Sequence, residues 1–287
     1  MIYSFFGTPR FAEIVLKKLI ETGMKPRVVV CNPDQPVGRD QILTPPPTKI
    51  IAAEYDILVW QPEKPLVGQF EILKNNDVFI IAAYGKIIPG EILKIPKNGS
   101  IVLHPSLLPK YRGATPIRSA ILAGEKEIGV TIIKMDKKID HGPILSQRKI
   151  KTEKKSYLEL RDELAEVGAK LLIETLPKYL NNEIIPKTQN HNEATFTKKF
   201  SSDDAYVLPE KLKTAFQKSG KEAEEIERMI RALNPEPGVW TEFEEPYGNL
   251  PKGKRIKLLE SEIKGGKLIL TEIQIAGKIP RRVSISS

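Results

Sequence analysis

Short apolar runs alternating with helical periodicities constrain this chain more than any other feature. Ile2 to Phe6 reads as a strand, Gly7-Thr8-Pro9 as a turn and Phe11 to Glu21 as a helix, and Arg27 to Cys31 reads as the next strand. Further apolar runs stand at Ile57 to Trp60, Val78 to Ala83, Ile101 to His104 and Val130 to Met135, with helical candidates between several of them. That order specifies an α/β protein with a mostly parallel, doubly wound sheet of Rossmann-like type. Such sheets bind ligands outside the carboxyl ends of their strands, where Gly7, Tyr84 and His104 would gather.

The pattern changes in the second half. A long helical stretch, Ser156 to Leu180, closes the first region, and Asn181 to Asp204 reads as a linker with short extended pieces. A charged helix over Lys221 to Ala232 stops at Asn234-Pro235-Glu236-Pro237-Gly238. Strand-like runs at Val239 to Phe243, Arg255 to Leu259, Leu268 to Ile275 and Arg282 to Ile285 then predict a small C-terminal β-barrel, OB-like in kind. The chain of 287 residues therefore divides into a domain over 1–200, linker included from about 181, and a second over 201–287.

Composition narrows the function classes. The formal net charge is +9, so a polyanionic partner and a merely solvated basic face both stay open. The C-terminal region holds Lys252, Lys254, Arg255, Lys257, Lys264, Lys267, Lys278, Arg281 and Arg282, a composition suited to gripping a nucleic-acid backbone. Trp240 and Phe243 read as barrel core rather than stacking platforms. The single cysteine, Cys31, excludes an internal disulfide and a cysteine-built metal site, and reads as a packed strand-end residue. No signal-like start and no apolar run of about 20 residues appears, so a cytoplasmic protein without a membrane span is expected. The first strand leads into Gly-Thr-Pro rather than a glycine-rich dinucleotide fingerprint, and no Walker-type motif occurs, which argues against a nucleotide cofactor.

Two stretches carry chemistry. Ser100 to Gly113 delivers His104 from an apolar strand into a loop stiffened by Pro105 and Pro109. A lone histidine is ordinarily a core residue, but a rigid Pro-Ser-Leu-Leu-Pro loop directly after a buried strand is the setting of a site. Downstream, Asp140 precedes His141 and Gly142; it caps that turn or, paired with His104, orients the imidazole and stabilises its charged form for acid/base work. His141 and His191 share no metal-ligand spacing with His104, so no metal is expected. The loop from Asn32 to Pro47 is long for a strand-to-helix connection and reads as functional.

Together these residues resemble the methionyl-tRNA formyltransferase family. The resemblance rests on Phe6-Gly7-Thr8-Pro9, on Pro33 to Arg39 and the Pro47-Thr48-Lys49 end of that loop, and on Gln61-Pro62 and Ala82 to Pro89. It continues through His104 to Gly113, Gly129-Val130-Thr131, Asp140-His141-Gly142 and Ile230 to Pro235. The His104 and Asp140 motifs are common to 10-formyltetrahydrofolate transferases, whereas the Asp34 to Lys49 loop and the Arg231 to Pro237 motif are more particular to the tRNA enzyme.

The resemblance implies formyl transfer from 10-formyltetrahydrofolate, a co-substrate, to the amino group of methionyl initiator tRNA by a monomer, without a metal. His104 and Asp140 would be catalytic. The folate would lie against Ala83, Tyr84, Gly85 and Ile88 and against Ser106, Leu107, Leu108 and Pro109, while Arg39 and Lys49 would contact the tRNA. The chain departs from the family at Val102, which stands where the family has a catalytic asparagine, at Asp40-Gln41, which replaces a basic continuation, and in a shorter C-terminal barrel. Two alternatives therefore stay open: a formyltransferase for an amino sugar nucleotide or glycinamide ribonucleotide, and a catalytically weakened folate- or tRNA-binding protein.

Overall fold

The computed structural model describes residues 1–38, 40–63 and 70–286. Its contacts gather into two units, one from Met1–Pro116, Glu127–Lys151 and Leu158–Thr197, the other from Ile117–Lys126, Thr152–Tyr157 and the chain from Lys198 onward.

In the first unit, β1 (Tyr3–Phe6) is buried at every position, as a strand covered on both faces must be. Gly7 follows because nothing larger fits: a Cβ there would stand 2.6 Å from that of Ala12 and 2.7 Å from the Ala82 carbonyl oxygen. Helix α1 (Arg10–Glu21) turns Phe11, Val15, Leu16 and Leu19 inward at helical spacing. The chain continues through β2 (Val28–Val30), β3 (Gln35–Val37), β4 (Ile42–Thr44), α2 (Pro47–Glu54), β5 (Leu58–Trp60), β6 (Val78–Ile81), α3 (Gly90–Leu93) and β7 (Ser100–His104). After these come β8 (Glu127–Lys134), β9 (Ile144–Lys151) and α5 (Tyr157–Leu180), while the intervening α4 (Pro116–Ala123) falls, but for its first residue, in the second unit.

The main sheet has the order β5-β2-β1-β6-β7-β8-β9. It is parallel as far as β7, and β8 and β9 add antiparallel to that side. The strand order reverses between β1 and β6, the switch point at which a crevice opens beyond the strand ends. Helix α5 lies close on β7, since a Cβ on Gly168 would come within 2.7 Å of Leu103. The residues after α5 are no free tether: Ile144 and Lys187 exchange backbone hydrogen bonds at 2.7 and 2.8 Å, and Arg112 pairs with Thr195 and Thr197 at 2.8 Å each. This strap over 181–197, the exposed β3–β4 hairpin and the edge strand β9 are elements that the sequence pattern alone did not separate.

The second unit contains α6 (Pro209–Gln217), α7 (Lys221–Leu233), β10 (Trp240–Thr241), β11 (Ile256–Lys264), β12 (Lys267–Ile275) and β13 (Arg281–Ile285). The small β domain read from the sequence takes the form of an antiparallel four-stranded sheet in the order β10-β11-β12-β13. Asn234 ties the end of α7 to it, its amide donating to the carbonyls of Leu258 and Leu259 at 2.8 and 3.0 Å. Phe243 is core, and half-buried Trp240 lies under the Arg255 guanidinium, 4.1 Å from the ring centre.

Candidate active site

His104 ends β7 and is 5% exposed. Its Nε2 lies 2.9 Å from the Tyr111 carbonyl oxygen. A carbonyl only accepts, so Nε2 carries the proton, and in the neutral ring Nδ1 holds the lone pair. Nδ1 faces Asp140 Oδ2 at 3.5 Å. The structure thus brings the two singled-out side chains together from different parts of the chain, at a separation longer than a good hydrogen bond; catalytic contacts often tighten only with substrate present.

The loop after His104 is held rigidly from behind. Thr131, opposite His104 on β8, donates its hydroxyl to the Ser106 carbonyl at 2.6 Å and accepts the Leu108 N–H at 3.1 Å. Gln147 on β9 adds a bond to the Leu108 carbonyl at 2.8 Å.

Asp140 has a left-handed backbone, φ +47°. Its Oδ2 also accepts the Gly113 N–H at 2.8 Å. The turn behind it has no slack, because a Cβ on Gly142 would fall 1.8 Å from the Lys134 carbonyl oxygen. Two residues not anticipated as site components brace it. Gln189, on the 181–197 strap, donates its amide to the carbonyls of Asp140 and Gly142 at 2.9 and 2.7 Å. Its Oε1 accepts from Arg112 Nη2 at 2.6 Å, and Arg112 also meets His191 Nδ1 at 3.0 Å. Arg112 lies inside the Ser100 to Gly113 run, but bonds to backbone carbonyls leave no spacing pattern by which Gln189 could be found. His141 and His191 stack on one another, centroids 3.9 Å apart, and His141 Nδ1 is 2.6 Å from Asp136.

The residues that the resemblance gives to the folate divide by exposure. Tyr84 and Ile88 belong to an apolar cluster with Phe6, Phe79 and Ile81, against which Val102 packs. Ser106 is buried with its hydroxyl on the Lys110 carbonyl at 2.7 Å, and Leu108 is buried as well. Ala83 and Gly85 are exposed and sit at φ +49° and +80° beside the switch point. Leu107 and Pro109 are partly exposed, and the side chain of Ile87 is 90% exposed. Val102 lies two residues before His104 and so on the same face of β7, with no group that can donate.

At the far side of the switch point, Asn32, Pro33, Asp34, Gln35, Glu63 and Lys86 line a cleft of about 440 Å³. Lys49 reaches both Asp34 carboxylate oxygens at 2.8 Å, and Gln61 donates to the same carboxylate. The Lys49 and Gln61 bonds hold the Asp34 carboxyl below the usual carboxylate range. A phosphate reaching Lys49 would have to compete with Asp34. Arg39 lies outside the described residues.

The formyl transferase family model matches residues 1–176, and the model of the formyl transferase C-terminal domain matches residues 220–279. The chain belongs to the formyl transferase family. Among curated members of that family, the methionyl-tRNA formyltransferase of Enterococcus faecalis is 42% identical over 245 residues, 84% of this chain and 75% of that protein. A solved methionyl-tRNA formyltransferase from Clostridium thermocellum shares the fold at a TM-score of 0.60 and 20% identity, covering 96% of this chain and 98% of that one. An N-formyltransferase from Helicobacter canadensis, crystallised with folinic acid and dTDP-3-aminofucose, superposes at a TM-score of 0.64 with 23% identity, covering 96% of each chain.

Among the described residues no group of three or more His, Cys, Asp or Glu side chains could hold a metal ion. No helix there is long and apolar enough to cross a membrane. Cys31 is buried, and burial raises its thiol to about 11.

Proposed function

We propose that this chain transfers the formyl group of 10-formyltetrahydrofolate to the α-amino group of methionyl initiator tRNA, as a cytoplasmic monomer. The observation that carries the reading is the extent of its likeness to curated methionyl-tRNA formyltransferases, which runs through three quarters of their length. Structures of sugar N-formyltransferases share the fold alone.

10-Formyltetrahydrofolate supplies an electrophilic formyl carbon, and the backbone around Ala83 and Gly85 together with Leu107 and Pro109 would hold it. The attacking amine must lose a proton as negative charge grows on the formyl oxygen. With Nε2–H committed to the Tyr111 carbonyl, His104 Nδ1 is the atom that takes this proton. Asp140 Oδ2 stands beside the proton once it arrives; collapse of the tetrahedral adduct then breaks the bond from the formyl carbon to N10 of the folate, and the His104 imidazolium returns the proton to that nitrogen, releasing tetrahydrofolate and the formylated amine. Val102 donates nothing to the formyl oxygen, so that charge stabilisation rests on His104 and on backbone or solvent donors. Arg39 and the basic C-terminal domain, about 201–287, are assigned to the tRNA, and Lys49 contributes there only when released from Asp34.

The deciding experiment offers the protein 10-formyltetrahydrofolate with methionine-charged initiator tRNA, an amino sugar nucleotide or glycinamide ribonucleotide as parallel acceptors. Formylated methionyl-tRNA is the expected product. Transfer to another acceptor alone would move the chain to that chemistry, and silence with all three would leave a binding protein.

A further inference from the structure

We propose that Gln189, backed by Arg112, is a positioning residue for the reaction, setting where the Asp140 carboxylate stands against His104. The proposal rests on the reading of His104 and Asp140 as the catalytic pair.

The tripeptide Tyr111-Arg112-Gly113 touches both members of that pair. The Tyr111 carbonyl takes the His104 Nε2 proton at 2.9 Å, and the Gly113 N–H holds Asp140 Oδ2 at 2.8 Å. Between them the Arg112 side chain, 3% exposed, turns to Gln189 rather than to a carboxylate. Gln189 is 4% exposed and spends its whole amide on the turn: both N–H groups go to the Asp140 and Gly142 carbonyls, and the oxygen accepts from Arg112.

The Asp140 turn needs this brace because Asp140 occupies the left-handed region, while Gly142 approaches the Lys134 carbonyl so closely that no side chain would fit there. A non-glycine residue keeps such a backbone only where its surroundings over-determine it. Of the side chains described, Gln189 is the one that bonds carbonyls on both sides of His141. It carries no charge and stands behind the turn's backbone, so its effect on the reaction passes through Asp140. The site is thus completed by a residue from the strap that follows α5, far along the chain from the two loops that carry the chemistry.

The test compares Gln189→Glu and Gln189→Met with the parent protein, each checked for folding by its thermal transition. Glutamate keeps the length and can still accept from Arg112, but its carboxylate cannot donate to the two carbonyls; methionine keeps the bulk and donates nothing. Both variants should lose kcat by about 10- to 100-fold, the scale of moving a catalytic group by about 1 Å, with KM for folate and for tRNA within about threefold. In an Asp140→Asn background, single-turnover rates should fall no further on adding Gln189→Met, because residues acting as one unit are not additive.

Unchanged kcat in a folded Gln189→Glu or Gln189→Met variant, a loss confined to KM, or full additivity with Asp140→Asn would overturn the proposal. His104→Ala and Asp140→Ala in the same assay separate the two levels. If both remain active, the catalytic reading has failed; if both are inactive while the Gln189 variants turn over normally, only the positioning role has failed.

Discussion

At the scale of single residues, the site stores backbone strain. Ala83, Tyr111 and Asp140 all hold positive φ, at +49°, +60° and +47°, a conformation that costs non-glycine residues of order 1–3 kcal/mol each. The Tyr111 carbonyl meets His104 Nε2 and Asp140 faces His104 Nδ1, while Ala83 lies in the segment assigned to the folate, so the strain coincides with the proposed chemistry. Val102 is the opposite case, a residue at ease in its surroundings. It extends the apolar cluster of Phe6, Phe79 and Ile81 and contributes nothing polar. If turnover lacks the donor that an asparagine would supply, Val102→Asn should raise kcat by about 100- to 1,000-fold, the value of one oxyanion donor. The same change puts an amide against apolar neighbours and should lower the melting temperature. Steady-state kinetics with calorimetry would read both effects, and an unchanged kcat would show that other donors already serve the formyl oxygen.

At the scale of elements, the 181–197 strap links stability to pH through His191. Partial desolvation, with His141, Arg112 and Lys138 nearby, pushes the His191 pKa below its ordinary 6.5, and Asp136 opposes this only in part. The folded chain therefore resists protonation at a site that the unfolded chain protonates readily. Between the folded value and 6.5 the unfolded state binds more protons, so stability rises with pH through that window and is fully present above it. Melting temperatures below pH 6.5 should fall with acidification, and His191→Asn should flatten that slope; an unaltered slope in the variant would remove His191 as its source. The strap also shows what can be read from sequence. Strands β1, β2, β6 and β7 are buried on both faces and stand out as apolar runs. Edge strand β9 buries only Leu145, alternates half-buried and exposed residues over the rest of its length, and carries Arg148 and Lys149, so it lacks that signal. The strap is short and mostly polar, with no more than a three-residue 3-10 turn at His191–Glu193 and isolated bridges at Lys187 and Phe196, so it reads as a linker. His104 and Asp140 were legible because each follows or precedes punctuation by proline and glycine, whereas the Gln189 brace exists only in three dimensions.

At the scale of the whole molecule, the excess of positive charge is what separates a nucleic-acid substrate from a small one. The net charge is +9, and in the second unit Lys254, Lys264, Lys267, Lys278, Arg281 and Arg282 are all exposed. Exposed cations that meet phosphates release condensed counterions, and each such contact makes affinity fall with salt by close to one unit of log-log slope. A merely solvated basic face has no such signature. The KM for methionyl-tRNA should therefore climb steeply with potassium chloride. Lys254→Ala, Lys267→Ala and Arg281→Ala should each weaken tRNA use and reduce the slope by about one wherever a phosphate contact is lost. The KM for 10-formyltetrahydrofolate should stay within error in these variants, because the residues assigned to it belong to the other unit. A salt slope that no substitution in the C-terminal sheet alters would leave the tRNA grip to Arg39 and the rest of the first unit, and would make the basic C-terminal face a matter of solubility alone.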